Sequence, residues 1–137
     1  DKGFELIYWK LSYRRKFIRT LWMIPWTIVS LIFIQIVGNA TMKNSKTLEE
    51  LFERIFTGDK KEIIIDFKDC NYMDSTMLGL LAKTAIKLKK TWNKQMYEFN
   101  SASMVKASLK STGVYNLMAH LEEFEGIVQL EEVETKE

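Results

Sequence analysis

Apolar positions along this chain change their period several times, and each change predicts an element. At the front, Phe4, Ile7, Leu11, Ile18 and Leu21 recur at helical intervals with basic residues between them, which predicts a helix. From Thr20 to Met42 the chain carries no charge at all. That run is long enough for a bilayer crossing, which needs about 20 apolar residues, and Arg14, Arg15, Lys16 and Arg19 before it would keep the cationic side in the cytoplasm. Against a membrane helix stand Pro25 and the β-branched Ile28, Val29, Ile32, Ile34, Ile36 and Val37, which suit a sheet covered on both faces. We read two strands, about Phe17 to Met23 and Thr27 to Val37, broken at Pro25 and Trp26.

Beyond Gly38 the period lengthens. Leu48, Leu51, Phe52 and Ile55 make one apolar face of a helix with Ser45 as its N-cap, ended by Gly58 and Asp59. "EIIIDF" reads as a short buried strand. Leu78, Leu81, Ala82, Ala85 and Leu88 then repeat at three and four residues behind Asp74, a good capping carboxylate, and the opposite face carries Lys83, Lys87, Lys90 and Lys94. "QMYEF" alternates as a strand without declaring its buried face. Ser101 or Ser103 caps a further helix that closes at Gly113, a suitable place for the left-handed residue after a helix. From Val114 to Leu130 two readings stay open: a helix ending in a frayed acidic tail, or a segment that includes a short strand at Ile127 to Leu130.

Strands alternating with helices predict an α/β fold with a mixed, partly parallel central sheet of four to five strands and three to four helices packed on it. A length of 137 residues with 47% apolar content allows one sizeable core. Residues 1–26 read as an N-terminal extension, helix plus edge strand, and residues 27–137 as the domain proper with an acidic C-terminal tail. The chain starts at Asp1 rather than methionine, as a processed protein or a piece of a longer one would.

Charge is polarised. Residues 1–43 hold seven Lys/Arg and two Asp/Glu, whereas residues 121–137 hold seven Glu and one Lys. A basic front and an acidic tail can serve membranes, partners or each other, and neither makes the broad positive face of a nucleic-acid binder. Cys70 is the only cysteine and His120 the only histidine, so there is no internal disulfide and no Cys/His set for zinc. No phosphate-binding glycine loop is present and no cofactor is called for. The serine-hydrolase elbow is missing, and His120, the only candidate base, reads as a helix-surface residue. A phosphate-accepting receiver would need an acidic pair on an earlier strand, which here ends "QIVGNA".

Candidate chemistry gathers in "DFKDCNYMDSTMLGLL", where Asp66, Asp69, Asp74, Ser75 and Thr76 stand between a buried strand and a helix. With Asp74 as cap, Ser75 and Thr76 fall in the first helical turn, where unpaired amides and the dipole favour an anion. A phosphate there adds about −1.5 to −2 charges, enough to repel a partner fitted to a neutral hydroxyl and an apolar collar.

These residues resemble the STAS domain family. In "EIIIDFKDCNYMDSTMLGLLAKTAIKLKK", Asp66, Asp74, Ser75, Gly79 and Leu81 hold the places of the family's strand-ending Asp, its Asp-Ser pair and the glycine early in its helix; Thr112, Gly113 and Val114 match the later signature. The likeness covers about Thr27 to Leu121. It departs from the family at Met77, where glycine is common, which would put a flexible apolar side chain on the collar.

The resemblance implies a noncatalytic regulatory domain, like an anti-sigma factor antagonist, that docks an anti-sigma factor with serine kinase activity through Asp66, Asp69, Asp74, Ser75, Thr76, Met77 and Leu78. Ser75, or alternatively Thr76, would take the phosphate. The alternative it implies is a subunit or cytosolic regulatory domain of a membrane transporter, with membrane contact through residues 1–26. Weak nucleotide binding aided by Lys83 and Lys87 is implied by some relatives only. The expected setting is cytoplasmic, with membrane association or a homodimer as further expectations.

Overall fold

Five successive buried residues, Glu62–Asp66, form the strand at the centre of the sheet, β3. The computed structural model describes residues 3–16, 26–121 and 129–136. In chain order, the elements around β3 are β1 (Glu5–Lys16), β2 (Trp26–Ala40), α1 (Ser45–Phe56), β4 (Cys70–Met73), α2 (Ser75–Trp92), β5 (Met96–Phe99), α3 (Ser103–Ser111), a 3-10 turn (Val114–Leu117), β6 (Ala119–Leu121) and β7 (Gln129–Lys136). The sheet order is β6-β5-β3-β2-β1-β7, with β4 pairing the end of β2. The pairings β2–β3, β3–β5, β5–β6 and β2–β4 are parallel, and β1 pairs antiparallel with both β2 and β7. This is the mixed α/β fold expected, with more strands than the periodicity disclosed.

Strand alternation sorts the side chains onto two faces. Leu6, Tyr8, Ile32, Ile34, Ile36, Ile63, Ile65 and Met96 enter one core with the buried faces of α1, α2 and α3, so the helices cover a single side of the sheet. Arg54 of α1 reaches the same side of β1, donating from Nη2 to the Tyr8 hydroxyl at 2.9 Å. On the other side Trp9, Phe33 and Phe99 meet edge to face, with centroids 5.5 and 6.2 Å apart.

Within the charge-free run residues 26–40 are β2, followed by the loop at Thr41 and Met42, and no helix among the described residues is long and apolar enough to cross a membrane. The helix expected at the front is instead the strand β1. Phe4, Leu6 and Tyr8 are buried at period two, and an open edge of β2 pairs with β1 from Glu5↔Val37 to Lys16↔Trp26. Sheet hydrogen bonding outweighs a helical spacing that only three of its five markers, Phe4, Ile7 and Leu11, carry within the described residues. Ile18, Leu21 and the strand expected over Phe17 to Met23 lie outside them.

Two caps also move. Asn44, not Ser45, stands at the N-cap of α1, while the Ser45 hydroxyl donates to the Met42 carbonyl at 3.0 Å. Ala102, not Ser101 or Ser103, precedes α3. The Ser101 hydroxyl is drawn away to Glu98, whose Oε2 it meets at 2.5 Å. After Gly113, at φ +82°, the long helix considered for Val114 onward shrinks to the 3-10 turn, and strands follow. His120 therefore lies on β6, not on a helix. Its Nδ1 is 3.0 Å from Oε1 of buried Glu98 on β5, and its ring stacks on Tyr115. Of the two readings left open for the end of the chain, the one that includes a strand agrees in part: β7 runs from Gln129 to Lys136, in register on β1, rather than over Ile127 to Leu130.

Candidate functional site

The carboxyl end of β2 decides where the site forms. Gly38 takes φ +89°, and a Cβ there would overlap the Gly3 carbonyl oxygen, so glycine is required both for its conformation and for the close approach. Its amide donates to the Asp69 carbonyl at 2.9 Å. Beyond it Asn39 and Ala40 pair with Tyr72 and Met73 of β4, and the Ala40 carbonyl accepts the Asp74 amide at 3.0 Å. The strand β4, hidden in what reads as a turn, brings the start of α2 against the β2–α1 loop.

Asp74 then holds the two segments together. Its Oδ1 accepts the Met77 amide at 3.0 Å as the α2 cap, and its Oδ2 accepts the Met42 amide at 2.8 Å. The loop is knit further by Thr41 and Asn44, whose Oδ1 accepts the Thr41 hydroxyl at 3.4 Å. Ser75 and Thr76 are exposed in the first turn of α2, and Gly79, one turn on, is exposed with open space around it. Beside them lies an open depression of about 410 Å³ lined by Asn39, Thr41, Met42, Lys43, Tyr72 and Asp74. Met42 is 68% exposed and Tyr72 47% exposed.

The expected site residues divide. Asp74, Ser75 and Thr76 are brought together at one helix start, and Asp69 is exposed on the turn before β4. Asp66 is buried and acts inside the fold: Oδ1 accepts the Lys68 amide at 2.9 Å and the Asn100 side-chain amide at 3.2 Å, and Oδ2 the Gln35 amide group at 3.4 Å. Met77 and Leu78 point into the core with 0% and 5% exposure. The apolar collar expected at Met77 is absent because, with Asp74 as the cap, the third helical position turns under the helix.

Met42, Tyr72 and Lys43 escaped the sequence reading. For Tyr72 there was no periodic signal, since β4 buries its two ends and exposes both residues between them. For Met42 there was none, since its place depends on a hydrogen bond to a residue far along the chain. Cys70 is buried beneath this surface, and its thiol is pushed up to about 11 by burial, partly offset by a hydrogen bond to the Tyr72 carbonyl. Among the described residues no group of His, Cys, Asp and Glu could hold a metal ion.

The STAS domain family matches residues 27–125. The chain belongs to the STAS family. Among solved structures it is similar to SpoIIAA, an anti-sigma factor antagonist, in its unphosphorylated form: TM-score 0.59 and 18% identity over 80% of this chain and 89% of that one. It is also similar to a protein of Thermotoga maritima described as a candidate anti-sigma factor antagonist, with TM-score 0.57 and 14% identity over 66% of this chain and 80% of that one. At these identities the likeness is one of fold. No curated protein sequence matches significantly. Strand β1, which pairs antiparallel with β2, lies outside the residues that the family model matches.

Proposed function

We propose that this STAS domain is a phosphorylation-switched docking module of the anti-sigma factor antagonist type, with Ser75 as the phosphate acceptor. The observation that carries the reading is an exposed hydroxyl in the first turn of α2, beside the exposed side chains of Met42 and Tyr72. In the unmodified state an anti-sigma factor with kinase activity seats on the first exposed turns of α2, Ser75, Thr76 and Gly79, and on Met42 and Tyr72. Exposed apolar groups next to a neutral hydroxyl suit such a partner.

Transfer of the ATP γ-phosphoryl group to Ser75 Oγ forms the phosphoserine and releases ADP and the hydroxyl proton. Each Asp74 oxygen already accepts a backbone amide, and the hydroxyl proton goes to a base on the partner. The new charge of about −1.5 to −2 is stabilised by the amides of the helix start while it repels an apolar partner surface. Phosphorylation therefore leaves the domain folded and weakens the complex.

The test is incubation with the cognate kinase and Mg-ATP, followed by mapping of the phosphate. Incorporation at Ser75 that Ser75→Ala abolishes and Thr76→Ala spares supports the reading. A domain that sediments with membranes in complex with a transporter, unphosphorylated, replaces it with the transporter-subunit reading.

A further inference from the structure

Between Asp74 and Glu122 the chain carries seven lysines, no arginine and a single acid, Glu98. Glu98 is buried and meets His120 and Ser101, so the outside of this stretch is left with cations alone. Helix α2 exposes Lys83, Lys87, Lys89 and Lys90, and α3 exposes Lys110. Steps of four and three residues set Lys83, Lys87 and Lys90 in line along about 10 Å of α2. The 3-10 turn packs against both helices, which makes α2, the turn and α3 one continuous face on the side of the sheet that the helices cover. Apolar side chains surface within it: Ile86 of α2 is 43% exposed and Leu117 of the turn 40%.

Helix stability does not account for this charge. The helix dipole favours lysine in the last turn, which holds Lys89 and Lys90. Lys83 and Lys87 come before it, and like charges four residues apart repel. Among the described residues one carboxylate lies within ion-pair reach of the α2 lysines: Glu49 of α1, 3.8 Å from Lys83, in a pair too open to water to offset much. Lys87 rests over the Phe56 ring at 4.4 Å and Lys110 over Tyr115 at 5.1 Å, contacts that hold the ammonium groups without neutralising them. Glu49 and Glu53 line the groove between α1 and α2, so the uncompensated face runs from α2 toward α3.

The composition of the face selects its occupant. Protein interfaces concentrate arginine and aromatic residues and are depleted in lysine, and nucleic acids are best held by the planar guanidinium fork, which this stretch lacks. Lysine is a hydrated point charge on a flexible stem. It suits a surface that offers diffuse negative charge without fixed geometry, as anionic lipid headgroups do. We propose that the α2–α3 face binds the surface of an anionic lipid bilayer, with the lysines at the headgroups and Ile86 and Leu117 at the boundary with the acyl chains. Ser75, at the start of α2, is not needed for this contact, so the proposal stands or falls independently of the phosphorylation reading.

Sedimentation of the full chain with lipid vesicles tests it. In about 0.1 M NaCl, vesicles of phosphatidylcholine with a quarter phosphatidylglycerol should carry the protein down, and vesicles of phosphatidylcholine alone should not. Each lysine at such a surface contributes about fivefold, so Lys87→Gln/Lys90→Gln should raise the half-saturating lipid concentration about twenty-fold. Glutamine keeps the helix propensity of lysine, and an unchanged urea midpoint shows that the variant is folded. Raising NaCl to about 0.5 M should weaken the wild type by at least as much. Arg14→Gln/Arg15→Gln leaves the α2–α3 face intact and should stay within about threefold of wild type. No binding to the anionic vesicles, or equal binding to the neutral ones, overturns the proposal. Loss in the arginine variant but not in the lysine variant moves the contact to the front of the chain and overturns it too. So does tighter binding to a duplex DNA oligonucleotide than to the anionic vesicles, which makes the face a nucleic-acid surface.

Discussion

The Asp74 carboxylate accepts the backbone amide of Met42 at 2.8 Å across thirty-two residues of sequence, while its other oxygen caps α2 through Met77. One side chain therefore starts a helix and fixes the loop that carries the most exposed large apolar side chain on this surface. Removing it as Asp74→Ala should cost about 1–2 kcal/mol of stability in urea unfolding, and the Met42 amide should exchange faster with solvent. Asp74→Asn keeps one acceptor, so it should retain the cap and lose most of the Met42 contact. A variant as stable as wild type would show that the loop is held by other means.

Charge at Ser75 should act oppositely on stability and on docking. Ser75→Glu places an anion at the start of α2 and should raise stability by about 0.3–1 kcal/mol at low salt, while weakening partner binding in titration calorimetry by tenfold or more. Ser75→Ala should bind normally and resist phosphorylation. Equal loss of binding in both variants would mean that the hydroxyl itself is recognised.

Gly79 is exposed in the second turn of α2 with room for a methyl group. Gly79→Ala should therefore stabilise the free domain by about 0.5–1 kcal/mol. On the proposed docking face the same methyl should reduce affinity. Thermal melting and binding read the two effects separately.

At Gly38 the outcome reverses. Gly38→Ala meets both a left-handed backbone and the Gly3 carbonyl, so it should cost about 2 kcal/mol or more. The loss should appear as a lower urea midpoint, with early exposure of the Phe4 end of β1.

The Cys70 thiol, pushed up to about 11 by burial, ties stability to alkaline pH. Below the ordinary thiol range both folded and unfolded chains carry the neutral thiol, and the group adds no pH dependence. Between about pH 9 and 11 the unfolded chain ionises first, so stability falls as pH rises by about 2–3 kcal/mol in total. Cys70→Ala should lack that increment when the two unfolding curves are compared across the window.

Much of the fold could be read from residue periods alone. Continuous burial predicts β3, the three- and four-residue repeats predict α1 and α2, and β-branching makes residues 27–37 a strand where length alone allows a membrane helix. Asp74 as a cap, with Ser75 and Thr76 in the first turn behind it, was equally legible, because a cap and its helix are neighbours in sequence. These features depend on contacts a few residues long.

Tertiary structure decided whatever depends on distant partners. Phe4 to Leu11 became strand because β2 offered an edge, and a helical spacing cannot compete with an open ladder of hydrogen bonds. Glu98 turned inward because His120 and Ser101 meet its carboxylate there, and Met77 turned under because the cap fixed the phase of α2. The exposed pair Met42 and Tyr72 beside Ser75 exists only where β2 and β4 end and α2 begins. Local sequence sets the period of an element, but only the assembled sheet determines which residues from separate elements share a surface.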